Sequence, residues 1–425
     1  MTTTIISTLS KQLPHVDHRI IGLKQKLFFF DEHSRGSCFF LPRGARVYNK
    51  LIDYLRTEYK KRNYEEVITP NIYDCRLWKQ SGHWDHYKDN MIRFPLGDHE
   101  FSLKPMNCPG HCLMYKHLGS VKSNQLPIRW ADFGVLHRNE LSGSILGLTR
   151  MRRFQQDDAH IFCRPDQIRS EVGNCLDFAS EIYSQFGFKF KLALSLRPEK
   201  YLGHSDMWDE AENALREALQ GTKMPWDEQK HEGAFYGPKI DLTVKDLHAR
   251  SHQCATIQLD FQLPTRFDLV YKDVKQTHRP VIIHRAILGS IERFIAMVIE
   301  NSDGRWPFWI SPVQAQIVPI HESLNHYALE LRNQLASAGY QVDCADDSEA
   351  TLNRKIREAE LARYNFILIV GDKEADLRAV TVRSPSNKTR VQQFLSVEKL
   401  MAMFKHLDET RVGFADQGQL LKSWN

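Results

Sequence analysis

The sequence predicts an α+β domain with a mostly antiparallel sheet, followed by a separate α/β domain. Upstream of about residue 310, strand-like runs follow one another and are broken by helices instead of alternating strictly with them. From about residue 311 the pattern becomes strand, helix, strand, helix, strand within about 115 residues, the size of one independent domain. Between the two lies GRWPFWISP, whose two prolines and bulky aromatics mark a boundary.

The first element is read from RGARVYNKLIDYLRTEYKKRNYEEVITP. Val47, Leu51, Leu55 and Tyr59 recur every four residues, one face of a helix, and a short β-type run then ends at Pro70. Residues 164–186 and 204–219 read as amphipathic helices, whereas IRWADFGVLHR, KFKLALSLR, KIDLTVKDLH and ATIQLDFQL read as strands. In the tail, QAQIVPI, YQVDCAD, NFILIVGD and AVTVRSP are strands, with helices at about 322–338 and 351–363 and a closing helix at VEKLMAMFKHL.

At 425 residues the chain is long enough for two or three domains. A composition of 42% hydrophobic and 26% charged residues is globular, and no stretch reaches the roughly 18 apolar residues of a membrane span, so no membrane anchor is expected. The net charge of +5 tolerates a polyanionic partner without arguing for one, and the excess lies before residue 311, not in a basic tail. Eight scattered cysteines, with only Cys108 and Cys112 close together, argue against a disulfide framework and for a reducing compartment. The first twenty residues lack a secretory apolar core and an Arg-rich amphipathic helix, and a processed organellar protein would look the same.

Three islands concentrate catalytic residue types: KPMNCPGHC (104–112), HRNELSGSILGLTRMRRFQQDDAH (137–160) and HRAILGSIERF (284–294). One Cys and two His gathered from distant segments would bind zinc and leave its fourth position for substrate. Spacing does not choose among Cys108, His111, Cys112, His137, His160 and His284, and buried histidines are commonly core residues. The middle island carries Arg138, Arg150, Arg152 and Arg153 around a Ser/Gly turn, with Phe154, Asp157 and Asp158 after it. Arginine forks bind phosphate and an aromatic stacks on a base, although a solvated basic hairpin has the same composition. In the third island Gly289 and Ser290 precede Glu292 and Arg293 at a helix start, where glycine would let the backbone approach a ligand.

Taken in order, these islands resemble the three signatures of class II aminoacyl-tRNA synthetases. KPMNCPGH, FGVLHRNE, QDDAHIF, EGAFYGPKID, QLDFQLP and HRAILGSIERF resemble the threonyl-tRNA synthetases in particular, from about residue 17 to the end. The resemblance implies the class II synthetase fold: a leader at 1–28, a catalytic domain at 29–308 built on an antiparallel sheet, and an α/β anticodon-binding domain at 309–425. It implies a homodimer formed through the 44–70 helix and strand. The implied activity is ATP-dependent activation of threonine and transfer to tRNA(Thr).

The resemblance also assigns residues. Zinc would be held by Cys108, His160 and His284, with its open position taking the amino group and hydroxyl of threonine. Asp158 would receive that hydroxyl, and Met106, Gln156, Tyr236 and Gln258 would line the threonine site. Arg138 would meet the α-phosphate of ATP and Arg293 the γ-phosphate, with Arg150 near the terminal phosphates, Glu140 and Phe154 framing adenine, and Gln253 and Ser290 close by. Arg138, Arg293 and Lys239 would serve catalysis, with Mg²⁺ shared between phosphates. Glu374 and Arg383 would read anticodon bases.

Three departures stand out. Leu141, Leu146 and Arg153 occupy positions where Pro, His and Gly are expected, so the loop toward the tRNA acceptor end is expected to be retuned. An acidic run, Asp346 to Glu349, covers a position that usually holds Asn. The chain begins almost at the catalytic domain, which leads one to expect no editing domain and appreciable activation of serine. Short forms of this kind resemble fungal mitochondrial enzymes, giving the mitochondrial matrix as the expected compartment and the cytoplasm as the alternative.

Overall fold

The computed structural model describes residues 16–222, 224–245, 251–345, 350–384, 391–413, 421 and 424. It divides into two compact bodies: Phe30–Cys38 with Ile52–Met297, and Met1–Phe29 with Phe39–Leu51 and Val298–Asn425. The acidic run at 346–349 and the leader up to residue 15 lie outside the described residues. No described helix is long and apolar enough to cross a membrane.

The first body is built on a nine-stranded sheet. Its strands in chain order are Glu65–Glu66 (β1), Ile128–Asp132 (β2), Val135–His137 (β3), Arg153–Cys163 (β4), Phe190–Ser195 (β5), Trp226–Gln229 (β6), Lys239–Lys245 (β7), Ser251–Asp260 (β8) and Val281–Ser290 (β9). The order across the sheet is β6, β5, β7, β8, β9, β4, β2, β1, with β3 paired to β4. Every pairing is antiparallel except the edge pairs β5–β6 and β1–β2. The expected antiparallel sheet is therefore present. IRWADFGVLHR forms two strands, not one, parted at Phe133 and Gly134. A Cβ on Gly134 would lie 2.6 Å from both the Asp132 carboxylate and the Lys104 ammonium, so the break makes room for that pair.

Helices cover the sheet because their apolar residues fall on one stripe. In Ile168–Gln185 the buried residues include Ile168, Val172, Cys175, Leu176, Ala179, Ile182 and Tyr183, spaced three and four apart. The helix Pro42–Lys61 buries Val47, Leu51, Leu55 and Tyr59, as its periodicity predicts. β9 is buried along nearly its whole length, as expected of a central strand packed on both faces.

The pairing of β4 with β9 carries one irregularity. Asp158 pairs with Ala286, yet Gln156 pairs with Ser290, so three residues of β9 stand opposite Asp157. The Asp157 carboxylate accepts from Ile287 N (2.8 Å) and Leu288 N (2.9 Å), amides that the broken ladder leaves over. The Tyr59 hydroxyl donates to it at 2.7 Å and accepts from Arg285 Nη1 at 2.7 Å, and the Arg285 guanidinium lies over the rings of Tyr59, Tyr64 and Phe178. All of this is buried.

The second body ends in a five-stranded sheet, Ala315–Pro319 (β10), Val342–Cys344 (β11), Phe366–Val370 (β12), Ala379–Ser384 (β13) and Val391–Ser396 (β14), in the order β11, β10, β12, β13, β14. The first three run parallel and the last two antiparallel. Alternate residues feed two cores. Ile317, Phe366 and Leu368 pack with Leu331, Leu335, Leu400 and Phe404, whereas Val318, Ile367 and Ile369 pack with Ile356 and Ala359. Helices on both faces are what the short apolar strands predict, whereas β14 and the helix Asp372–Asp376 escaped the sequence reading, having weak or polar patterns.

Two outcomes follow from the Asp157 cluster. Tyr59→Phe leaves the Asp157 carboxylate and the Arg285 guanidinium each short of a buried partner, and is expected to lower unfolding free energy by about 2 kcal/mol in urea titrations. Burial raises the Asp157 carboxyl to about 6, against the bonds from Tyr59 and the two amides and the charge of Arg285. With a raised folded value, its contribution is full below the ordinary carboxylate range and is lost as pH climbs through about 6. The stability advantage of the native protein over Asp157→Asn should therefore shrink between pH 4 and 6.5; a constant gap would contradict the assignment.

Candidate active site

β4 presents Phe154, Gln156, Asp158 and His160 on one face, as alternate residues of a strand must. At one end, Phe154 and Gln156 line a cleft of about 360 Å³. Arg138, Glu140, Arg150, Gln253, Ser290 and Arg293 line it too, so all seven residues assigned to ATP by resemblance meet there. Arg138 lies over the Phe154 ring with its carbon 5.0 Å from the centroid, and its Nε is buried without a hydrogen-bond partner. Arg293 is fixed by bonds to Thr149 O (2.9 Å) and Gln253 O (3.1 Å). Burial, together with Arg138 and Arg150, pulls its pKa down, the mark of cations converging with too little countercharge. Among the described residues Glu140 is the one acid that lines the cleft, bound to Arg150 Nε at 2.8 Å. Such a site suits a polyphosphate with a stacking base.

Gly289 has φ +71°, and a Cβ there would lie 2.5 Å from Cys254 O. No other residue lets β9 bend into the cleft at this point. Ser290 Oγ donates to Glu292, which also accepts from Gln155 N and pairs with Arg153 at 3.2 Å. Arg153 thus braces the start of the helix Ile291–Ser302, while Leu141 and Leu146 are exposed on the loop between β3 and β4.

At the other end of the face, register makes His160 of β4 and His284 of β9 direct cross-strand neighbours. Cys108 begins the helix Cys108–His117. The ligand atoms of Cys108, His160 and His284 all lie within 4.8 Å of one another and all three residues are buried. The spacing that left six candidates open is resolved by pairing.

The ring contacts test whether a metal fits. His160 Nε2 and His284 Nδ1 are 3.0 Å apart. The far nitrogen of His284 is 2.8 Å from Asp260 Oδ2, a carboxylate that also accepts from Gln262 N and Leu263 N. A carboxylate only accepts, so that ring keeps its proton on Nε2 and turns a bare Nδ1 inward. The far nitrogen of His160 meets His111 at 2.7 Å. Burial drives His160 well below the ordinary histidine range and Cys108 well above the ordinary thiol range. Two imidazoles and a thiol whose donor atoms converge on one buried point are a sound donor set for zinc.

Around this cluster, Tyr236 OH donates to Gln258 at 2.7 Å, and Gln258 is the cross-strand neighbour of His284. Asp158 accepts from Asn107 Nδ2 at 3.0 Å, and burial raises its carboxyl. Met106 packs half-buried beside the cluster containing Cys108. Lys239 is not among the residues that line the cleft, but its ammonium lies 2.8 Å from Asp241, which also receives Ser195 and the cleft residue Gln253. The structure thus brings four of the five threonine-assigned residues, Met106, Asp158, Tyr236 and Gln258, near the Cys/His/His cluster, whereas Gln156 lines the cleft.

The sequence reading missed His83, Asn107, Asp132 and Asp260. His83 Nε2 is 3.8 Å from Cys108 Sγ, its ring is wholly buried, and burial lowers its pKa to about 3. Nothing near it in sequence marks it, since it lies outside the three islands. In the second body, Glu374 is already engaged by Gly371 N and Thr381 Oγ1, and Arg383 by Glu360 at 2.7 Å. Thr381 and Arg383 are alternate residues of β13, so both assigned anticodon residues adjoin one face of that strand.

Residues 94–302 match the family described as tRNA synthetase class II core domain (G, H, P, S and T), and residues 314–407 match an anticodon binding domain. The RNA binding domain of threonyl-tRNA synthetase from Cryptosporidium parvum Iowa II superposes with TM-score 0.88 at 52% identity, over 92% of this chain and 98% of that one. The chain belongs to the threonyl-tRNA synthetase family. Mouse threonine--tRNA ligase 2, cytoplasmic, is 53% identical over 403 residues, which are 94% of this chain and 51% of the mouse protein. The chain therefore spans about half the length of the curated relatives it matches. Prolyl-tRNA synthetase from Cryptosporidium parvum, at 15% identity and TM-score 0.70, shares the fold.

The cleft generates one expectation. Arg293→Gln removes a cation from the cleft and should weaken ATP binding at least tenfold by calorimetry on protein shown to be folded; unchanged affinity would separate Arg293 from the nucleotide.

Proposed function

We propose that this chain is a threonine–tRNA ligase, which makes threonyl-adenylate from threonine and ATP and transfers the threonyl group to the 3′ end of tRNA(Thr). The observation that carries the reading is the single face of β4, on which a nucleotide cleft, Asp158 and a Cys/His/His cluster follow one another within seven residues. A substrate lying along that face has its ammonium and side chain at the metal end and its carboxylate toward the cleft.

The first step is in-line: a threonine carboxylate oxygen bonds to the α-phosphorus as the bond to pyrophosphate breaks. Positioning and charge neutralisation are what this chemistry requires. Arg138 meets the charge growing on the α-phosphate, Arg293 and Arg150 the departing pyrophosphate, and Mg²⁺ enters with ATP. Phe154 and Glu140 hold the base. Zinc held by Cys108, His160 and His284 would take the amino group and hydroxyl of threonine. Asp158, braced by Asn107, accepts the hydroxyl proton, which valine does not have. Glu374 and Arg383 are proposed to face the anticodon of tRNA(Thr). We also propose a homodimer, which the family resemblance implies through the 44–70 helix and strand; light scattering on the purified chain checks it.

ATP–pyrophosphate exchange tests the activity. Threonine should support strong exchange, valine none, and serine an intermediate rate, because one methyl group discriminates by only about 1–3 kcal/mol. Cys108→Ala should abolish exchange with all three. Equal exchange with valine, or full activity of Cys108→Ala, would overturn the reading.

A further inference from the structure

We propose that His111 is a positioning residue for the metal cluster, holding His160 in the tautomer that turns a bare Nε2 toward Cys108 and His284. The proposal rests on the zinc reading above and names the group on which that site depends.

The chain of contacts begins at Asp132. This carboxylate is buried and accepts from Thr69 Oγ1 at 2.7 Å, and the buried Lys104 ammonium, itself bonded to Thr69 Oγ1 at 2.9 Å, lies 3.7 Å away. It can only accept. The Nε2 of His111 faces it at 3.6 Å and has no hydrogen-bond partner of its own. The His111 proton therefore belongs on Nε2, leaving Nδ1 as a lone pair. That lone pair is 2.7 Å from His160 Nδ1, which must supply the hydrogen of the contact. The ring planes meet at 88°, so one ring presents its edge to the other. With its proton on Nδ1, His160 has a bare Nε2, 3.0 Å from the bare Nδ1 of His284.

In the opposite arrangement, His111 would carry its proton on Nδ1 and His160 on Nε2. The His160–His284 contact would then be an ordinary hydrogen bond, and one ligand lone pair would be lost. Asp132 through His111 on one side, and Asp260 on the other, thus decide whether the two imidazoles bind each other or a cation. His111 follows Cys108 by three residues on the same helix, so one helical face carries both the sulfur and the ring that steers His160.

Zinc affinity, measured by competition with a fluorescent chelator, tests this without reading catalysis. In His111→Asn the amide oxygen occupies the place of Nδ1 and keeps an acceptor for His160. In His111→Gln the amide reaches the place of Nε2 and keeps only the Asp132 side, and His111→Leu keeps neither. Native protein and His111→Asn should bind zinc within about threefold of each other, with His111→Gln and His111→Leu weaker by about ten- to a hundredfold. The ligand-field spectrum of cobalt(II) at the site should change in the weak pair alone. If affinity follows melting temperature instead of the retained acceptor, or if His111→Gln binds like the native protein, His111 is only a packing residue. Should the native chain bind zinc no better than Cys108→Ala, the metal reading falls, and the positioning role with it.

Discussion

The arrangement of the site depends on one buried carboxylate. Asp157 gathers the two amides that β9 would otherwise leave unpaired, and so lets three residues of one strand stand against one of the other. Below this irregularity the register is regular and sets His160 against His284; above it, the shift brings Ser290 opposite Gln156 and turns Gly289 into the nucleotide cleft. A regular ladder could satisfy one end of this face but not both. The cost is a buried charge, offset by Tyr59 and by the Arg285 guanidinium held among aromatic rings.

Much of the fold was legible because it rests on short-range periodicity. The stripe Val47, Leu51, Leu55 and Tyr59, and the buried run Phe366–Val370, announce a helix and a covered strand by themselves. The break at Gly134 was not legible, since what demands it is the Lys104–Asp132 pair, a contact between separate segments. For the site, motif resemblance named the cluster and cleft residues that the structure then gathers, whereas spacing alone left six metal-ligand candidates. His83, Asp132 and Asp260 stayed hidden because their importance lies in which sulfur or ring nitrogen they face, a property of three-dimensional pairing that has no local pattern.

Polar burial is concentrated here in a way that separates the two ends of the face. Around the cleft, cations outnumber acids and lie against backbone carbonyls, so the site is prepared for negative charge. Around the cluster, carboxylates stand behind neutral rings, so it is prepared for positive charge. Asp158 sits between the two regimes and is shielded on one side by Asn107. An amino acid, with opposite charges one carbon apart, has a natural orientation in such a field.

The cluster also has a place in time. Its three donors come from segments separated by long stretches of chain, His160 and His284 alone by 124 positions. On the ribosome, a chain that has released β4 but not β9 holds only Cys108 and His160, which are too few to retain an ion. The site therefore closes late, by the pairing of a central strand with neighbours made well before it. Closing such a long loop is slow and entropically costly. On the zinc reading proposed above, metal uptake would report that the sheet is complete, and a chain stalled before Val281 would hold Cys108 and His160 without the third donor, His284.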